Sequence, residues 1–181
     1  HRKKMVEYPL ETLRACGITE GCIVCDRELC GGYSEYLGSG GDIGMNLLYA
    51  VQETPGGIPS AILAAEHFLG YDPFVAILGD NIIEDPAPVA AAIQHYQLNP
   101  WPGKFVVLTK RVENPSSYGV CVINYDTGAI TAFVEKLTSF ISEHAVVGVY
   151  VCPSDALDRI GDLVPSERGE TEIMALAEFY R

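Results

Sequence analysis

The sequence predicts an α/β domain built on a mixed, mostly parallel sheet, and three observations lead there. Apolar runs of strand length alternate with helix-patterned segments from Glu7 to Lys110. Between Gly119 and Cys152 the rhythm changes to closely spaced strands joined by a tight turn, which adds antiparallel strands to the parallel ones. No internal repeat, low-complexity tract or linker divides the 181 residues, so one domain over residues 1–181 is the economical expectation.

The elements follow in order. The segment 7–17, EYPLETLRACG, carries apolar residues at helical spacing and stops at Gly17, a C′ glycine. CIVC (22–25) is the first strand candidate. The glycine-rich stretch 31–46 holds a short helix and then a loop. NLLYAVQ (46–52) reads as a strand and IPSAILAAEHFLG (58–70) as a helix. FVAIL (74–78) is the next strand, APVAAAIQHYQ (87–97) the next helix and KFVVLTK (104–110) a further strand. GVCVINY and AITAFVEK flank the turn DTG, a hairpin pattern. AVVGVYVC (145–152) is another strand, SDALDRI a short helix, and 169–181 a terminal helix.

Twenty-four acidic residues against twelve basic ones give a net charge of −12. A polynucleotide partner calls for a basic surface, so nucleic acid is excluded as the expected ligand. A small phosphorylated ligand fits, because a few local donors and a divalent ion reverse the local field. No apolar run reaches the roughly 20 residues that span a bilayer, and the basic start HRKKMVEYPL leads into no signal-type segment. The chain is read as soluble and cytoplasmic, with no membrane partner.

Three of the six cysteines fall in CIVCDRELC, as Cys22, Cys25 and Cys30, with a superficial zinc spacing. A chelating pair must aim both thiolates at one point, whereas strand alternation sets Cys22 and Cys25 on opposite faces. They are read as buried apolar cysteines. The four histidines, His1, His67, His95 and His144, form no metal spacing.

Ligands of open α/β sheets gather at the carboxyl ends of strands, and four features stand at such ends or in adjacent loops. LGDN (78–81) ends a strand: Gly79 allows close approach and Asp80 offers hard oxygens suited to Mg²⁺, or the segment is an ordinary polar turn. In VQETPGGIPSA, Gln52 closes a strand and two glycines lead into a helix N-terminus. A glutamine amide there can read a base edge, or the segment is a plain strand–helix connection. Tyr118 and Gly119 precede a strand. Glu135 and Lys136 end another, where they could bind sugar hydroxyls and phosphate or form a solvated strand end. The loop GSGGDIG leads toward a strand and lacks Lys-Ser/Thr, so it is not a P-loop.

The ordered set YPLETLRACGI, YLGSGGDIGMNLLYAVQETPGGIPSA, FVAILGDNII, ENPSSYGVCVI, VEK, VVGVY and PSERGETEI resembles the sugar-1-phosphate nucleotidylyltransferases over nearly the whole chain. QETPGGI and PSERGETEI point to the thymidylyl branch. The resemblance implies a Rossmann-like three-layer sandwich of the nucleotide-diphospho-sugar transferase type. It also implies in-line attack by glucose 1-phosphate on the α-phosphorus of dTTP with Mg²⁺, releasing pyrophosphate. Carried over position by position, Gln52 and Gly57 contact the base and Asp80 holds the metal. Tyr118, Gly119, Glu135, Lys136 and Val146 line the sugar-phosphate side. Relatives usually assemble, so a homo-oligomer is the implied quaternary state.

The chain departs from the family pattern at three places. No strand and glycine-rich GGxGTRL loop precede KKMVEYPL, EKP has become EKL at Leu137, and the position taken for a second metal aspartate is Ala175. The missing first strand lies inside the family's sheet, so its absence predicts unpaired backbone groups on the neighbouring strands. A fragment of a longer gene product is the leading expectation, and a degenerate homologue with impaired catalysis, or a sugar/nucleotide-binding regulatory module, the alternative.

Overall fold

A computed structural model describes residues 3–98, 104–135 and 140–181. The chain opens with helix α1 (Glu7–Ala15), strand β1 (Glu20–Cys25) and helix α2 (Arg27–Leu37). A 3-10 turn at Gly41–Ile43 leads to β2 (Asn46–Val51). Next come α3 (Gly57–Ala64), α4 (Glu66–Leu69), β3 (Phe74–Ile77), α5 (Ala87–Leu98) and β4 (Val106–Arg111). The hairpin β5 (Val120–Ile123) and β6 (Ile130–Val134) precedes β7 (His144–Cys152), α6 (Ala156–Gly161) and α7 (Ile173–Phe179).

The sheet is mixed, with a different balance from the sequence expectation. β1 and β2 form a parallel pair in register from Glu20↔Asn46 to Cys25↔Val51. Every other described ladder is antiparallel and all but the hairpin involve β7. β3 and β4 both pair with Val151, so they occupy opposite edges of β7 and point the same way. β4 and β5 both pair with Ala145, so β5 shares the β3 edge. β7 is thus an antiparallel strand set between parallel neighbours. Its apolar run reads the same in either direction, which is why sequence pattern left its direction open.

Strand alternation explains the layers. Tyr150 and Cys152 of β7 point into a core with Ile62 of α3, Ala156 and Ile160 of α6, and Ile173, Met174 and Leu176 of α7. Val151, between them, points to the opposite face, against Ala92 and Tyr96 of α5. Val106 and Leu108 of β4 follow Val151, while Phe105 and Val107 follow Tyr150. Helices therefore cover both faces, which gives the three-layer arrangement and accounts for the unbroken apolar character of β7.

The sheet is interrupted. β1–β2 stands as a two-stranded unit apart from the five strands around β7. Leu10 and Leu13 of α1 bridge the interruption, packing with Ile23 of β1, Leu47 of β2, and Val75 and Ile77 of β3. A cavity of about 650 Å³ opens at this place, lined by Lys4–Val6, Ile23, Val24, α2 residues including Leu29 and Tyr36, and Gly79–Asp80. The edges of β1 and β3 that face away from their partners carry no ladder among the described residues.

Three further differences have local causes. IPSAILAAEHFLG breaks at Ala65, so one expected helix is two, α3 and α4. α2 begins at Arg27, well ahead of the expected short helix, because the Asp26 carboxylate accepts from the Leu29 N–H at 2.9 Å and caps it. The last helix starts only at Ile173, because the Thr171 N–H donates to the Gly56 carbonyl at 3.0 Å instead of joining a helix. Of the cysteines, Cys121 and Cys152 are buried, whereas Cys22, Cys25 and Cys30 are half-buried rather than core residues. Among the described residues no helix is long and apolar enough to cross a membrane.

Leu176 is fully buried, so Leu176→Ala is expected to lower unfolding stability by about 2–5 kcal/mol in urea titrations. Val164→Ala, at a side chain 83% exposed, is expected to stay within about 0.5 kcal/mol of the parent.

Candidate functional site

The candidate site residues are set by the place where β7 changes partners along one edge. β3 occupies its edge from Cys152 back to Val149, and the Leu78 N–H extends that ladder to the Gly148 carbonyl at 2.9 Å. The same edge then passes to β5, where the Val146 N–H donates to the Gly119 carbonyl at 2.8 Å. β3 thus ends and β5 begins along one edge of β7, which sets the chain after Ile77 close to Gly119.

Asp80 stands on the β3 side of the handover. The Asn81 N–H donates to the Leu78 carbonyl at 3.1 Å, turning the chain, and leaves Asp80 exposed on the cavity. Asn81 Nδ2 lies 3.3 Å from Asp80 Oδ1 and steadies the carboxylate. A Cβ at Gly148 would come within 2.6 Å of Asn81 Nδ2 and of the Leu78 side chain, so the missing side chain lets this turn sit against β7. Among the described residues no three His, Cys, Asp or Glu side chains gather into a metal site. Asp80 supplies a single exposed carboxylate, which fits Mg²⁺ in the mode where one or two carboxylates share the ion with phosphate oxygens. Ala175 lies on the exposed side of α7 and offers no ligand.

Gln52 and Gly57 are brought together. The Gln52 N–H donates to the Cys25 carbonyl at 2.9 Å, which fixes it at the end of β2, and its Nε2 reaches the Gly57 carbonyl at 3.3 Å. Gly57 has φ +85, and a Cβ there would lie 2.1 Å from the Thr171 carbonyl oxygen. Only glycine suits both the conformation and the contact. The Thr171 hydroxyl donates to the Gly56 carbonyl at 2.8 Å, so the loop before α3 is tied to the loop before α7.

Gly119, Glu135 and Val146 also converge. Val120 pairs with Val134 on one side and Ala145 on the other, which aligns Gly119 with Glu135 and Val146. A Cβ at Gly119 would lie 3.4 Å from Glu135 Oε2 and within 3.0 Å of the Met174 side chain. Tyr118, half exposed, precedes this pair, and its N–H closes a 3-10 turn on Pro115. Lys136 lies outside the described residues.

Sequence reasoning missed Arg168. Its guanidinium lies 3.9 Å from Glu135 and 2.7 Å from Glu172, whose carboxylate also accepts from the Ser166 hydroxyl at 2.8 Å. The hydrogen bond that Arg168 donates to Glu172, and then the Glu172 charge, hold Arg168 above the ordinary guanidinium range. Burial, and then the Glu135 carboxylate, push the Tyr150 phenol up as well. The available signal was PSERGETEI itself, a basic residue in a motif already singled out. Segment 166–174 thus touches Glu135 through Arg168, Gly56 and Gly57 through Thr171, and Gly119 through Met174.

Comparison with known proteins identifies the family. The profile of the family described as Nucleotidyl transferase matches residues 1–180. A glucose-1-phosphate thymidylyltransferase from Actinoplanes is 34% identical over 179 residues, which are 98% of this chain and 57% of the relative. One from Neisseria meningitidis is 33% identical over 98% of this chain and 60% of its own length. The chain therefore spans somewhat under two thirds of the curated relatives it matches. A crystal structure from Bacillus anthracis, assigned as a glucose-1-phosphate thymidylyltransferase and holding a sucrose, superposes with TM-score 0.89 at 34% identity. It covers 99% of this chain and 70% of that one. A UDP-glucose pyrophosphorylase bound to UDP-glucose shares the fold at TM-score 0.80 and 24% identity, over 97% of this chain and 74% of that one. With the profile matching residues 1–180, the chain belongs to the nucleotidyl transferase family.

Proposed function

We propose that this protein serves thymidylyl transfer from dTTP to glucose 1-phosphate, giving dTDP-glucose and pyrophosphate. The observation that carries the reading is segment 166–174, which joins the Gln52–Gly57 pair through Thr171 to Gly119 and Glu135 through Met174 and Arg168, while Asp80 stands exposed at the end of β3. The names of the relatives support the choice of substrates.

Gln52 reads the base. Its Nε2 is already held by the Gly57 carbonyl, which leaves the second amide hydrogen and the carbonyl oxygen to face a thymine edge that offers one acceptor and one donor. Gly57 keeps the backbone low enough for the base to approach. Glu135 accepts from sugar hydroxyls beside Gly119 and Val146, with Tyr118 flanking them. Arg168 and Lys136 bring positive charge to the sugar-phosphate side. Asp80 would hold Mg²⁺, which supplies charge neutralisation at the phosphates when bound. The chain needs no nucleophile of its own, because the attacking atom is a phosphate oxygen and the work is alignment and charge. A segment completing the interrupted sheet beside Asp80 would add donors for the triphosphate. A cytoplasmic setting, a single domain over 1–181 and a homo-oligomeric state belong to the same reading.

A second reading, a binding module that keeps the pockets without turnover, is favoured by one observation. The position at which the resemblance puts a second metal carboxylate is Ala175, on the exposed side of α7. The two readings separate on measurement: turnover predicts Mg²⁺-dependent pyrophosphate release from dTTP plus glucose 1-phosphate, and the module predicts calorimetric binding heat with none.

Pyrophosphate release is assayed on the chain alone and with an upstream glycine-rich segment restored. Release no greater than the blank in both would overturn the proposal. Where release is observed, Asp80→Asn is expected to reduce it by about 10²-fold or more, since it removes a charged group at the developing transition-state charge. Gly57→Ala is expected to destabilise the fold by about 1–3 kcal/mol through backbone strain and to abolish dTTP heat in calorimetry. Parental melting and parental dTTP affinity in the Gly57→Ala variant would remove Gly57 from the base pocket.

A further inference from the structure

The Gln52 amide can present itself to a ligand in two ways, and the fold admits one of them. An amide has an oxygen that accepts and a nitrogen that donates, and half a turn exchanges their places. The Gln52 backbone is fixed at the end of β2 by the Cys25 carbonyl, so the side chain alone is left to turn. Its Nε2 lies 3.3 Å from the Gly57 carbonyl oxygen. A carbonyl oxygen accepts only from a donor, so Gly57 takes the nitrogen end of the amide and excludes the oxygen end.

The Gly57 carbonyl is itself held from a distant segment. Gly56 and Gly57 lack Cβ atoms, so sterics leave their backbone a wide choice of conformations. Thr171 selects one. Its N–H at 3.0 Å and its hydroxyl at 2.8 Å both donate to the Gly56 carbonyl. Its own carbonyl oxygen stands 2.1 Å from where a Cβ on Gly57 would be. The contacts thus run from Thr171 to Gly56 and Gly57, and from Gly57 to the Gln52 amide. The hydroxyl is the part of this clamp that a substitution can remove without altering the path of the chain.

We propose that Thr171 is a positioning residue that sets base specificity, by locking the Gln52 amide in the orientation that suits thymine and excludes cytosine. The proposal rests on the reading of Gln52 as the base contact. Thymine offers the O4 acceptor beside the N3–H donor, whereas cytosine offers an N4–H donor beside the N3 acceptor. For a base entering in one orientation, cytosine therefore needs the two ends of the amide exchanged. That exchange would set the Gln52 oxygen against the Gly57 carbonyl, two acceptors facing each other with no proton between them. Uracil shares the thymine edge, so the lock does not separate dTTP from dUTP.

The test is calorimetry on the whole chain with dTTP, dUTP, dCTP and glucose 1-phosphate. The parent is expected to bind dCTP at least about 100-fold more weakly than dTTP. Thr171→Val, which has nearly the same shape, is expected to lower that ratio about three- to tenfold, the share of one hydrogen bond. Its dTTP/dUTP ratio and its glucose 1-phosphate affinity are expected to stay parental, and Thr171→Ser to restore the parental dTTP/dCTP ratio. Thr171→Ala loses the same hydroxyl and decides the matter where Thr171→Val does not fold. A merely structural role would weaken dTTP and dCTP alike, so an unchanged ratio in a folded variant, with dTTP bound by the parent, overturns this inference alone. A Thr171→Ser variant as unselective as Thr171→Val overturns it too. No dTTP heat in the parent overturns the reading of Gln52 as the base contact, and the inference with it.

Discussion

Strand β7 is the constraint on which the rest of the structure depends. It carries β4 along one edge, divides the other between β3 and β5, and packs helices against both faces. A strand so placed has no polar face, and Val149, Tyr150, Val151 and Cys152 are all buried. One-residue slippage would exchange the α5 and α6–α7 surfaces, so register here is strongly specified. β7 outlasts β3, and beyond Ile77 the chain turns and leaves Asp80 exposed on the cavity beside β1.

The interruption between β1 and β3 is the complement of this order. Backbone groups along an unpaired buried edge cost about 1–3 kcal/mol each when nothing satisfies them. α1 restrains the two parts by burying Leu10 and Leu13 against strands from both. The apolar residues Leu29, Tyr33 and Tyr36 of α2 recur at helical spacing and line the cavity instead of a packed core, and no residue of α2 is buried. Edges and stripe together mark the part of the molecule that the described residues leave open.

Legibility from sequence followed the kind of information each feature contains. β2, β3, β4, α5 and the β5–β6 hairpin were readable because length, periodicity and turn residues are local. The antiparallel sense of β7 was not, because direction is fixed by partners distant in sequence. The break at Ala65 has no glycine or proline to announce it. Gln52, Gly57, Gly119 and Glu135 were reached through motif order, whereas the Arg168–Glu135 approach depends on a contact between segments more than thirty residues apart.

The bond between Thr171 and Gly56 spans 115 residues of sequence. Contacts of such separation form against a large loop-closure entropy and arrive late in folding. During synthesis, the loop carrying Gln52 and Gly57 leaves the ribosome more than a hundred residues ahead of Thr171, which clamps it. For that interval the loop lacks its clamp, and its shape is set only once Thr171 has been made.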